Sequence, residues 1–77
     1  METKLTPEQL ADLKKFGLRL AELRKERGWS QERLALESGL ARSYLGGVER
    51  GQRNIAMLNI LRLARTLSCE PGELFKA

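Results

Sequence analysis

Residues 30–51 read SQERLALESGLARSYLGGVERG, and this stretch decides the fold. Ser30 is a good helix N-cap, because its hydroxyl can accept a hydrogen bond from a free backbone N–H of the first turn. Leu34 lies on a short apolar face, and Gly39 can end the helix in a left-handed conformation at little steric cost. Leu45 belongs to the next buried face, so the pattern predicts a helix, a tight turn and a second helix.

The outward side of the second helix of this stretch carries small, polar and charged residues. Arg42 and Ser43 lie at its start, and Gly46 and Gly47 follow in its middle. A short helix with one buried stripe and an outer face of arginine, hydroxyl and glycine fits the major groove of DNA. The stretch therefore predicts a helix that reads DNA.

Length and composition restrict the class of protein. The 77 residues suffice for one small domain, residues 1–77, and domains of this size often gain stability from a partner subunit. Hydrophobic residues make up 42% and charged residues 31%, a balance typical of a folded globular domain. Fourteen Lys and Arg against ten Asp and Glu give a net charge of +4, which favours polyanionic partners.

The sequence lacks the residues that several kinds of chemistry require. With no histidine and one cysteine, Cys69, we expect no metal, no cofactor and no disulfide, and we expect Cys69 to pack as a small apolar residue. Neither a glycine-rich phosphate loop nor a paired acidic site is evident, so we expect no enzyme. No apolar run approaches the roughly 20 residues that span a bilayer, which predicts a cytoplasmic protein without membrane contact.

A first helix is predicted before this stretch. Thr6 is a candidate N-cap, Pro7 suits the first helical position, and Gln9 is placed to complete a capping box. Apolar residues then recur at three- and four-residue steps to about Arg27, as on an amphipathic helix. Gly17 in its interior indicates either a close helix crossing or two shorter helices.

Arg24 lies in the inward half of the last turn of this first helix. A guanidinium is costly there unless a carboxylate meets it, and Glu49 is the candidate partner. The alternative is that both are solvated surface charges on amphipathic helices.

Residues 55–67 predict a fourth helix, with Asn54 as its cap. Its apolar residues cover more of the circumference than one core face requires, so we expect burial on two sides, one of them against a second subunit. Pro71 opens a closing helical turn anchored by Leu74 and Phe75, and Phe75 either caps the core or crosses into the partner. The candidates for the dimer interface are Ile60, Leu63, Leu67 and Phe75.

Together these segments predict an all-α domain of five helices, with the helix-turn-helix at about 30–50 and the last two helices within 55–75. Residues 16–76 resemble the phage repressor and Cro-like helix-turn-helix regulators, the XRE family. Residues 42–54 within that range resemble the controller proteins of restriction-modification systems. The residues that carry the resemblance are Ser30-Gln31-Glu32, Leu34-Ala35, Gly39-Leu40, Tyr44-Leu45 and Val48-Glu49-Arg50-Gly51.

The resemblance implies a lambda-repressor-like fold in which residues 31–38 cross the phosphate backbone and residues 42–50 enter the major groove. It also implies a two-fold homodimer, and an ion pair between Arg24 and Glu49 that ties the first helix to the end of the recognition helix. The positions that touch bases are matched by Arg42, Ser43 and Tyr44, and those that approach phosphates by Gln31, Arg50, Arg53 and Asn54.

Physical reasons support separate roles for these residues. The fork of Arg42 can donate two hydrogen bonds to a guanine and so read sequence, whereas Arg53 on a phosphate adds affinity alone. Gly46 and Gly47 together cost about 2 kcal/mol relative to alanines in a helix. We assign both to the base-reading face on the hypothesis that their missing side chains allow close approach to DNA; the alternative is a helix that frays there.

The sequence thus predicts a dimeric, sequence-specific transcriptional regulator that binds a palindromic double-stranded DNA operator near a promoter, with a restriction-modification controller protein as the narrower prediction. Repression follows if RNA polymerase is occluded, and activation follows if it is contacted. The alternative is a protein-interaction module or antitoxin-type adaptor that uses the same helical fold.

Overall fold

The computed structural model describes residues 4–76, and every regular element in that range is helical. The α-helices are α1 (Pro7–Glu26), α2 (Gln31–Ser38), α3 (Arg42–Glu49) and α4 (Met57–Thr66), and a 3₁₀ helix spans Pro71–Phe75. The predicted all-α class is confirmed, although the fifth helix is a short 3₁₀ helix, because five residues are too few for a stable α-helix. Within the described range, no helix combines the length and apolarity needed to cross a membrane.

α1 begins as its sequence predicts. The Thr6 hydroxyl accepts from the Gln9 N–H at 3.0 Å, and the Gln9 side chain accepts from the Thr6 N–H at 2.9 Å, which completes the capping box. The helix continues through Gly17, so the alternative of two shorter helices is wrong. A Cβ at Gly17 would lie 2.3 Å from the carbonyl oxygen of Val48 and 2.5 Å from that of Glu49. The glycine therefore lets α1 cross the end of α3 backbone against backbone.

α2 and α3 form the predicted helix-turn-helix. The Ser30 hydroxyl accepts from the Arg33 N–H at 3.0 Å and caps α2. Gly39 ends α2 with a φ of 78°, a left-handed conformation that suits glycine, and the next helix begins at Arg42. Arg62 of α4 donates to the backbone oxygen of Ser38 at 3.2 Å, which satisfies a free carbonyl at the end of α2.

Every helix contributes one fully buried leucine to a single core. These leucines have no exposed surface, and burial of each side chain is worth about 1.5–3 kcal/mol. Since α3 is held by its inner side, its outer side is left for contacts outside the domain. The five fully buried leucines are Leu20, Leu34, Leu45, Leu63 and Leu74.

α4 differs from its prediction at its start and on its buried face. Asn54 does not cap it, because the helix begins at Met57 and its N-cap makes no side-chain hydrogen bond. Leu63 and Leu67 are 0% and 4% exposed, so the prediction that they lie at a dimer interface is wrong. Their four-residue spacing turns both toward the core. Met57 and Leu58 lie outside the core and are largely exposed.

Arg19 of α1 links this helix to the 3₁₀ helix through hydrogen bonds. Its Nε donates to the backbone oxygen of Glu73 at 2.7 Å and its Nη2 to the Glu73 carboxylate at 3.1 Å. Phe75 contacts Phe16, with ring centroids 5.4 Å apart, yet most of its surface is exposed. Cys69 is half-buried, and burial, with a smaller contribution from Glu73, raises the pKa of its thiol.

Candidate nucleic-acid interface

A buried ion pair fixes α3 against α1. Arg24 donates from Nε to Glu49 Oε2 at 2.7 Å and from Nη2 to Oε1 at 2.9 Å, and the two side chains are 10% and 6% exposed. This pairing raises the pKa of the Arg24 guanidinium above its ordinary value. The third donor, Nη1, reaches the backbone oxygen of Trp29 at 2.8 Å. The two residues are therefore paired in the interior, and the alternative of two solvated charges is wrong.

The same carboxylate reaches the start of α2. Gln31 Nε2 donates to Glu49 Oε1 at 2.8 Å, so the half-buried side chain of Gln31 is oriented by the ion pair. The amide keeps a second N–H for another acceptor. The end of α3 and the first residue of α2 thus form one hydrogen-bonded unit.

Arg42 and Ser43 are exposed at the start of α3. Arg42 Nε donates to Glu32 Oε2 at 3.2 Å, and this is the one hydrogen bond that its side chain makes to the described residues. Its Nη1 and Nη2 atoms, which form the fork needed for bidentate contacts, are therefore free. The pKa of Glu32 is lowered by a hydrogen bond from its own backbone N–H and then by Arg42. Sequence reasoning missed Glu32, since a ten-residue separation matches no helical spacing.

Tyr44 is half-buried between α3 and α4. Its hydroxyl accepts from Asn59 Nδ2 at 3.1 Å and keeps its own proton for donation. The guanidinium carbon of Arg53 lies 5.9 Å from the tyrosine ring centroid, and Arg53 makes no hydrogen bond to any described residue. Asn59 was also missed, and the available signal was a polar residue among the apolar residues of α4.

The paired glycines of α3 are buried under arginine side chains. A Cβ at Gly46 would lie 3.1 Å from Arg50 Nη1, and a Cβ at Gly47 would lie 2.7 Å from Arg53 Cγ. They do not form an open surface in the free protein, which corrects the assignment of both glycines to the base-reading face. α3 continues through them to Glu49, so the alternative of a frayed helix is also wrong.

One of the residues predicted to contact DNA lies away from the outer side of α3. Arg50 is exposed and donates from Nε to Gln52 Oε1 at 3.0 Å. Asn54 instead lines a groove beside Asp12 and Leu13 of α1, so we leave it out of the interface. We call the remaining set the α3 face: Gln31, Arg42, Ser43, Tyr44, Arg50 and Arg53.

Comparison with known proteins bears on this arrangement. A family model described as helix-turn-helix, HTH_3, matches residues 20–74, which include α2, the turn and α3. The chain belongs to the helix-turn-helix family. The matched range ends within the 3₁₀ helix and takes in Leu20, so it covers the whole leucine core of this helix-turn-helix protein.

Restriction-modification controller proteins are similar to this helix-turn-helix protein in sequence and structure. The controller protein C.AhdI from Aeromonas hydrophila is 66% identical, with a TM-score of 0.83 over 84% of this chain and 98% of that chain. The control protein C.BamHI from Bacillus amyloliquefaciens is 37% identical over 60 residues, or 77% of this chain and 74% of that protein. The XRE-type identification and the resemblance to controller proteins are thereby confirmed.

A third similar structure contains DNA. It is the tetramer of the restriction-modification controller protein C.Esp1396I in complex with its natural 35 base-pair operator. It is 32% identical to this helix-turn-helix protein, with a TM-score of 0.75 over 82% of this chain and 83% of that chain.

Proposed function

We propose that this helix-turn-helix protein is a sequence-specific DNA-binding transcriptional regulator of the restriction-modification controller type. The observation that carries the proposal is the two-sided character of α3. Its inner side is locked by Leu45 and the Arg24–Glu49 pair, and its outer side presents Arg42 with a free guanidinium fork. Similarity to controller proteins, one of them bound to its operator, supports the same function.

In the proposed complex, α3 lies in the major groove and its first turn reads bases. Arg42 donates from its two Nη atoms to O6 and N7 of a guanine, and Ser43 and Tyr44 offer hydroxyls nearby. Gln31, Arg50 and Arg53 contact phosphates, which add affinity without reading sequence. No residue of this face is assigned a catalytic role.

Replacing Arg42 and Arg53 separately with alanine tests these roles. We expect Arg42→Ala to lose preference at one base-pair position of each half-site, by about 10- to 100-fold, because the fork is removed. We expect Arg53→Ala to weaken all sequences alike, about tenfold, and to reduce the slope of log affinity against log salt by about 1 per arginine. Selection from a random DNA pool, followed by binding at several salt concentrations, measures both effects.

If Arg53→Ala changes the base preference and Arg42→Ala weakens all sequences alike, Arg53 reads bases and Arg42 contacts a phosphate. If the purified protein selects no DNA even at low salt, the DNA-binding proposal fails and the protein-interaction alternative takes its place. Transcription in vitro from a promoter beside the selected sequence, at increasing protein concentration, then distinguishes occlusion of RNA polymerase from a productive contact with it.

We further propose that the protein binds its operator as a two-fold homodimer. In this dimer the two subunits meet at a groove of about 440 Å³ between α1 and the carboxyl-terminal segment. Phe75 lines this groove and is 62% exposed, so it offers a large aromatic surface that a second subunit would bury. Ile60, half-buried, lines the same groove, so these two of the four predicted interface residues remain candidates. Two α3 helices of a dimer would meet half-sites about 34–36 Å apart.

Phe75→Glu is expected to shift the protein from dimer to monomer, because a carboxylate would be desolvated at the interface. We expect the dimer dissociation constant to rise at least about tenfold in sedimentation equilibrium, with weaker operator binding. Leu36→Glu is the matched control, since Leu36 is 78% exposed on α2 and lies outside the groove. A Phe75→Glu protein that sediments as the wild type would contradict this interface.

A further inference from the structure

We propose that Gly47 is a positioning residue for DNA binding, because its missing side chain seats Arg53 against α3 and so presents the Arg53 guanidinium to the DNA backbone. This inference rests on the proposed function, in which Arg53 holds a phosphate. It replaces the idea that the glycine itself approaches DNA.

The seat is defined by close contacts along the arginine side chain. A Cβ at Gly47 would lie 2.7 Å from Arg53 Cγ, 3.5 Å from its Nε and 3.7 Å from its Cδ. Two carbon atoms pack at about 3.5–4.0 Å, so Arg53 must leave this position when residue 47 is larger than glycine. Gly47 is buried, and Arg53 supplies the side-chain atoms that lie nearest to its vacant Cβ position.

The other end of Arg53 lies beside Tyr44. Its guanidinium carbon is 5.9 Å from the tyrosine ring centroid, within range of a cation–π contact. Tyr44 and Gly47 are three residues apart on α3 and therefore share one side of the helix. Arg53, from the loop after α3, thus lies along the recognition helix with its charge unpaired by the described residues. Such seating reduces the side-chain entropy that the arginine loses when it binds a phosphate.

Gly46 provides a matched comparison at the preceding position of the same helix. A Cβ there would lie 3.1 Å from Arg50 Nη1 and 3.7 Å from Gln31 Oε1, and none of its three nearest atoms belongs to Arg53. Alanine favours the helix over glycine at both positions. Gly46→Ala therefore changes helix propensity in the same way but leaves the seat of Arg53 intact.

The test is a pair of double-mutant cycles, with the tightest duplex from a random DNA pool as the probe. We expect Arg53→Ala to weaken DNA binding about tenfold. We expect Gly47→Ala to weaken DNA binding almost as much. The Gly47→Ala/Arg53→Ala protein should bind no more weakly than Arg53→Ala alone. In the other cycle, the effects of Gly46→Ala and Arg53→Ala should multiply. The thermal unfolding midpoint of Gly47→Ala should match or exceed that of the wild type, which separates its effect from a loss of folding.

A readout without DNA accompanies the cycles. In the free wild-type protein, a nuclear Overhauser effect should connect the Hα protons of Gly47 to the Hγ protons of Arg53, and its absence would overturn the seating. If the wild type binds DNA but the effects of Gly47→Ala and Arg53→Ala multiply, or either change leaves affinity unaltered, the role of Gly47 alone is overturned. A wild type that binds no DNA overturns the proposed function, and the role of Gly47 with it.

Discussion

Replacing Gly17 with alanine is expected to lower the free energy of unfolding by about 3 kcal/mol or more. The new Cβ would lie 2.3 Å from the carbonyl oxygen of Val48 and 2.7 Å from the carbonyl carbon of Glu49. These are backbone atoms of α3, so relief requires α1 and α3 to separate and to disturb the core around Leu20 and Leu45. Alanine gains only about 1 kcal/mol of helix propensity, which is smaller than this cost.

Chemical denaturation followed by circular dichroism measures the change, and Gly46→Ala is its matched control. Both substitutions add one methyl group inside an α-helix, but at Gly46 the nearest atom is the flexible tip of Arg50 at 3.1 Å. We therefore expect Gly46→Ala to unfold at the same or a higher denaturant concentration than the wild type. A Gly17→Ala protein as stable as the wild type would show that α1 does not cross α3 at this point.

Glu49→Ala is expected to lose about 3–5 kcal/mol of stability, the usual effect of removing one partner from a buried ion pair. The substitution leaves the Arg24 guanidinium, in a side chain only 10% exposed, without its carboxylate, and it also removes the acceptor of Gln31. Because the pair is buried, the loss should persist at high salt concentration. Replacing both partners, as Arg24→Met with Glu49→Leu, should recover most of it, since no buried charge is left unpaired.

An exposed pair on α2 serves as the control. Arg33 Nε and Glu37 Oε2 lie 2.8 Å apart, with side chains 51% and 40% exposed, so solvent screens them. Glu37→Ala should change the unfolding midpoint little, and less still at high salt. If Glu49→Ala costs no more than Glu37→Ala, the ion pair does not hold α3 to α1.

The features predicted correctly from the residues are mostly local. The capping box of Thr6 and Gln9, the cap at Ser30 and the left-handed Gly39 each depend on interactions within about four residues. The resemblance to known regulators marks the positions of the α3 face, and the contacts of these residues with DNA stay a prediction. Its internal contacts were not predicted: Glu32 meets Arg42 across the turn, and no periodicity indicates such a pair.

The errors concern positions where a residue type fits two environments. Leu63 and Leu67 have the same pattern whether a helix face meets its own core or a second subunit, and only the packing of α4 shows that both are internal. Asn54 suits a helix cap or a phosphate contact, yet the helix starts after it and the residue lies beside α1. Gly47 suits close approach to DNA, but its space is occupied by Arg53.

The sequence by itself determined that this chain is helical and where its helices begin and end to within a few residues. It also determined which helix carries Arg42. Those properties depend on helical periodicity and on caps, which act between near neighbours in the chain. The tertiary structure alone decided that Gly17 faces the backbone of α3 and that Arg53 lies over Gly47. Both contacts join separate elements, and an absent side chain carries no signal of the atoms that will fill its place.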